Sequence, residues 1–162
     1  MNGKHQTGIT TVEFAIVGLV LLVSILGVFE VGRGFYTAAM LDEVTRRAAR
    51  LAAVCPVNDP AISQLAIMNA SGDASGSRFV TGLQPLNVVI DYLDANNAVV
   101  TDPAALSGFL QIRYVRARIN NFVYSVNLPF VAGLTTMTMS DFVHVLPRES
   151  LGVPRAGAIT PC

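Results

Sequence analysis

The residue best placed to do chemistry in this chain is Glu13. It is the one charged side chain among the 21 residues from Ile9 to Phe29. A carboxylate inside an apolar helix costs on the order of 2.5–3.5 kcal/mol on insertion scales and usually marks a function. One reading makes Glu13 a helix-start acid at headgroup level, favoured by the N-terminal dipole. Gly8 stands five residues before it, behind a short polar leader that contains Lys4. Few other residues offer chemistry. His5 and His144 have no Cys or carboxylate at a known ligand spacing, so no metal is expected. Asp91 and Asp94 flank a turn and read as surface carboxylates. Asn69-Ala70-Ser71 matches a glycosylation acceptor and carries little weight. No nucleophile-elbow, Walker A or dinucleotide-binding pattern occurs, so neither an enzyme nor a cofactor is expected.

The element that positions Glu13 is the apolar run itself. As a helix, Ile9–Phe29 spans roughly 31 Å, about one bilayer core. It is longer than a secretory signal core, and no small-x-small site follows promptly, so the segment is expected to stay in the product. Gly18 and Gly27 are not at GxxxG spacing and give a weak packing signal. Glu30-Val31-Gly32-Arg33-Gly34 marks the exit, with two glycines predicting a soft point.

Beyond it the helix continues as an amphipathic one. Leu41, Val44, Ala48, Leu51 and Cys55 form one apolar stripe. Asp42 with Arg46 and Glu43 with Arg47 are i,i+4 pairs in the favoured order. Arg46, Arg47 and Arg50 read as a solvated face, and Pro56 stops the helix.

Asn58-Asp59-Pro60 signals a second helix start, with helix expected over 61–70. Residues 71–77 read as loop. Strands follow. Val88–Leu93 and Ala98–Thr101 flank Asp94-Ala95-Asn96-Asn97 as a hairpin. Leu110–Asn120 reads as one strand whose apolar face changes side near Tyr114–Val115, which predicts a bulge or burial on both sides. Residues 121–130 read as a turn-rich segment, Thr135–Leu146 as a last strand, and Pro147 onward as a tail. Strands after helices predict an α+β fold: a long N-terminal transmembrane helix, continuing as an amphipathic helix, packed on a small antiparallel β-sheet domain.

Composition narrows the function. The chain has 162 residues, and Lys+Arg balances Asp+Glu at 11 each, so no nucleic-acid partner is expected. Two cysteines, Cys55 and Cys162, end the long helix and the chain. Outside the cytoplasm they can bridge, closing a loop of roughly 108 residues worth about 4–5 kcal/mol in the chain-entropy model. The alternative is two unpaired thiols, Cys55 buried and Cys162 on a tail.

Gly8 five residues before Glu13, ahead of an apolar run, resembles the prepilin-peptidase signal of type IV pilins and pseudopilins. Glu13-Phe14 looks like the Glu-Phe or Glu-Tyr pair of the tight-adherence (Tad/Flp, type IVb) branch. The longer run Thr11-Val12-Glu13-Phe14-Ala15, through Phe29-Glu30-Val31-Gly32-Arg33 to Arg46-Arg47-Ala48-Ala49-Arg50, resembles the TadE-like pseudopilins. The resemblance implies cleavage between Gly8 and Ile9, a β-branched first residue that leaves N-methylation open. It divides the chain into a leader (1–8), a transmembrane helix (9–30), a helical extension (31–55) and a small α+β extracytoplasmic domain (56–162). A free ammonium at Ile9 could then be neutralised by Glu13 of a neighbouring subunit within lipid, with Phe14 packed beside it.

The implied partners are the inner membrane, a prepilin peptidase, other pilins or pseudopilins and tight-adherence assembly proteins. The implied orientation has the N-terminus cytoplasmic and the domain periplasmic, or in an extracellular pilus. Lys4 against Arg33, Arg46, Arg47 and Arg50 leans the other way by the positive-inside rule. The resemblance is followed because prepilin peptidases cut on the cytoplasmic face. Two further readings are a minor pseudopilin of another type IV or type II secretion system and a single-pass membrane-anchored envelope binding module. The Glu-Phe pair and the Ala/Arg-rich extension argue against the first. The second predicts a domain that works on any anchor.

Overall fold

The computed structural model describes residues 7–126, 136–139, 142–153 and 162. One helix, α1 (Thr7–Val54), sets the layout. Its first half stands clear of the protein, and no residue of its most apolar window is buried. Its second half is the spine of the domain. Leu41, Val44 and Ala48 are buried as the stripe predicts, Cys55 is buried just beyond the helix, and Leu51 is half-buried. Full burial of Leu41 or Val44 contributes about 1.5–3 kcal/mol each. The expected soft point is not there: α1 runs unbroken through Gly32 and Gly34. Thr37 Oγ1 donates to the Arg33 carbonyl at 2.9 Å, and Arg33 Nε donates to Glu30 Oε2 at 3.1 Å, bracing that turn with side chains.

The charged flank differs in one pair. Arg46 donates to Asp42 at 2.7 Å as expected, but it also lies 3.5 Å from Glu43, the acid expected to pair with Arg47. The helix end is closed from a distance. Ala53 O accepts from the Glu149 and Leu151 amides, and Val54 O accepts from the Gly152 amide at 2.7 Å. Such bonds satisfy carbonyls that a helix C-terminus otherwise leaves open.

α2 (Ala61–Ala66) follows, with Asp59 Oδ1 accepting from the Ala61 amide at 2.9 Å. It is shorter than predicted: Met68 takes φ +67 two residues on, which a helix does not tolerate. A three-stranded antiparallel sheet has the order β1-β2-β5, with β1 Val88–Leu93, β2 Tyr114–Ile119 and β5 Val143–Pro147. β3 (Phe122–Ser125) and β4 (Thr136–Met139) form a separate two-stranded ladder. One face of β2, with Val115, Ala117 and Ile119, is buried, and α1 packs on both β2 and β5.

Several sequence expectations shift here. The Asp94–Asn97 turn forms, its Asp94 carboxylate accepting from the Asn96 and Ala98 amides, but the second hairpin strand shrinks to a single bridge, Leu93 to Val99. The change of face near Tyr114 is no bulge: α3 (Leu106–Gln111) ends there and β2 begins, so a helical period meets a strand period. The segment 121–126 holds a strand, β3, where turn structure is predicted, and the last predicted strand is two, β4 and β5. The leader residues 1–6, and the predicted tail over 154–161, lie outside the described residues.

Candidate functional site

Gly8 and Ile9 lie in the first turns of α1, and Glu13 and Phe14 one turn further on. Ile9 and Glu13 are four residues apart, so they share a helix face about 6 Å apart along the axis. Glu13 is exposed, and Ile9 and Phe14 are 70% and 79% exposed. Among the described residues, nothing in the domain covers this end. Exposed side chains of this size, continued by Ile16, Val17, Val20 and Leu21, would be unstable in water over such a length. They suit a lipid or helix-lined surrounding, where Glu13 is the one charged side chain of the run.

The other end of the apolar run carries a polar junction. Arg33 donates to both carboxylate oxygens of Glu30 and to the Ser125 carbonyl. The Tyr124 hydroxyl donates to Glu30 Oε1 at 3.0 Å, and the Arg33 guanidinium lies over the Tyr124 ring at 4.8 Å. The Glu30 side chain is only 13% exposed. Burial, and then the hydrogen bond to Glu30, push the Tyr124 phenol above its ordinary value. The junction ties β3 to α1 where the apolar run ends. Sequence reasoning missed it. Glu30 and Arg33 are visible as an i,i+3 pair, but their partner lies more than ninety positions away.

Two further ion clusters hold the sheet. Asp91 lies in β1, within the predicted strand, but its side chain is largely buried where a surface carboxylate is predicted. Its Oδ2 accepts from Arg116 Nη2 at 2.8 Å and from Arg118 Nε at 3.0 Å. His144 Nε2 lies 3.0 Å from Asp42 Oδ1, joining β5 to α1. Among the described residues, no three His, Cys, Asp or Glu side chains gather as a metal site requires.

The structure joins Cys55 to Cys162 by a disulfide, Cα atoms 5.8 Å apart, across 107 positions. The Cys162 amide also lies within 3.4 Å of the Asp59 carboxylate.

Among the described residues, one helix is long and apolar enough to cross a membrane, and it carries an α+β domain with small antiparallel sheets. Residues 8–50 match the family model of TadE-like protein. The resemblance read from the sequence is thus met over a stretch that opens on Gly8, contains Glu13-Phe14 and closes on Arg50. The match points to a membrane-associated component of a tight-adherence (Flp) pilus. It ends before the sheet begins, and neither a curated protein nor a solved structure matches the chain.

Proposed function

We propose that the protein is a minor pseudopilin of a tight-adherence (Flp) pilus or secretion apparatus, cut by a prepilin peptidase between Gly8 and Ile9. The observation that carries this is the bare helix: a family match opening on Gly8, and one carboxylate, Glu13, on an otherwise apolar and exposed surface. Its role is structural, without catalysis. The orientation that fits puts the N-terminus in the cytoplasm and the domain, with its Cys55–Cys162 bridge, in the oxidising periplasm.

Once cut, each subunit carries an ammonium at Ile9 and a carboxylate at Glu13. In lipid neither is stable unpaired. Pairing Glu13 of one subunit with Ile9 of the next both favours assembly and sets its register, and Phe14 packs at the same level. Its partners are then the peptidase, other pilins and the assembly proteins of the inner membrane.

Intact mass of the membrane-extracted protein, with and without a co-expressed tight-adherence prepilin peptidase, tests the cut. A peptidase-dependent loss of residues 1–8 is expected. An unshortened chain in both samples leaves a plain anchor and moves attention to the domain after Pro56. Glu13→Gln tests the pairing: the variant should insert, yet fail to co-purify with the assembly. Its normal incorporation would defeat the pairing model.

A further inference from the structure

The membrane-proximal end of the domain presents apolar side chains to the outside. Phe79 and Val123 are each about half exposed, and Tyr36, on the helix beside them, is 50% exposed. They come from three separate stretches. Phe79 lies in the loop before β1, Val123 on β3 and Tyr36 on α1. Arg33, Tyr36, Phe79, Val123 and Tyr124 line one shallow groove.

Their height along α1 follows from the helix. The apolar run Ile9–Phe29 is about one bilayer core long and is followed by the charged residues Glu30 and Arg33, so the core ends near Arg33. Tyr36 then lies about 5 Å further out, within the headgroup layer. The Tyr124 hydroxyl reaches Glu30, and the Ser125 carbonyl accepts from Arg33, so β3 and β4 lie at that same level. Aromatic side chains with an Arg among them are what a membrane interface favours.

We propose that this end of the domain, through Phe79, Val123 and Tyr36, rests on the lipid headgroup layer. The domain is then seated on the bilayer rather than held clear of it. The argument for lipid over another occupant is continuity. The surface adjoins the span, and the Glu30–Arg33–Tyr124 junction holds the sheet down onto the interface. This goes beyond the pseudopilin reading and needs only that α1 crosses a membrane.

The chain contains no Trp, so a single substitution makes a sole fluorescent reporter. Full-length Phe79→Trp is reconstituted in phosphatidylcholine/phosphatidylglycerol vesicles, with and without lipid brominated near the top of its acyl chains. Val123→Trp serves as a second reporter of the same surface. Leu106→Trp, on α3 at the far end of the domain, and Leu22→Trp, within the span, are the references. Phe79→Trp and Val123→Trp are expected to emit blue-shifted and to be quenched by the brominated lipid several-fold more than Leu106→Trp. Quenching of Leu22→Trp alone overturns the proposal and leaves the membrane helix standing. No quenching at any position overturns both. A blue shift indifferent to brominated lipid but growing with the protein-to-lipid ratio also overturns it, and makes a second copy of the chain the occupant.

Discussion

Glu30 and Arg33 gain their importance from Tyr124, a residue from another element. Removing the hydroxyl in Tyr124→Phe deletes the bond to Glu30 and should cost about 1 kcal/mol in urea unfolding of the domain. Arg33→Ala removes two bonds to Glu30, the bond to Ser125 and the ring contact, and should cost about 2 kcal/mol, since Arg33 is partly solvated. Equal stability of both variants with the parent would leave the junction without energetic weight. A second phenol gives a pH signature. Tyr92 is buried at the Cys55 end of the core, and burial raises its pKa above the ordinary 10.0. A raised folded pKa favours the protonated form. Its contribution is therefore complete below pH 10 and is lost as pH climbs through the raised value. Stability should fall as pH rises above about 10, and Tyr92→Phe should flatten that slope.

At the scale of elements, α1 depends on residues that follow the last strand. The segment 149–152 donates three amides to the carbonyls of Ala53 and Val54. Gly152 makes this possible: its φ is +77°, and a Cβ there would stand 2.7 Å from Pro56. Gly152→Ala should cost about 2 kcal/mol and loosen the end of α1, read as faster exchange of the Glu149 and Leu151 amides that cap Ala53. Unchanged exchange would mean that the cap contributes nothing. The apolar stripe from Leu41 to Cys55 is legible in the sequence because a helix repeats every 3.6 residues and a buried face must repeat with it. β3 and β4 are less so. Four-residue strands show too few alternations to stand out from turn sequence, and their pairing is a tertiary event.

For the whole molecule, the disulfide is the longest covalent tie. It joins the end of α1 to the end of the chain across 107 positions. Cys162→Ser should lower the unfolding free energy of the domain by about 4 kcal/mol in the chain-entropy model, and reductant added to the parent protein should do the same. A parent chain indifferent to reductant would show that the bridge does not constrain the unfolded state. The chain divides into an exposed apolar half of α1, long and apolar enough to cross a membrane, and a domain clamped to the other half. Glu30–Arg33–Tyr124 sits where the two meet.

The sequence by itself determined a helix long and apolar enough to cross a membrane, its one carboxylate, the Gly8–Glu13 spacing and the amphipathic stripe. These are local: length, hydropathy and periodicity are written in consecutive residues and depend on no distant partner. It also determined the α+β class, because strand patterns follow helical ones. Tertiary structure alone decided that α1 stays unbroken through two glycines, that Asp91 serves two arginines, that His144 meets Asp42, and that β3 lands on Glu30. Each of these depends on which surfaces meet. One residue of register decides whether a strand side chain faces the core or the outside, and the pairing that sets it lies far along the chain.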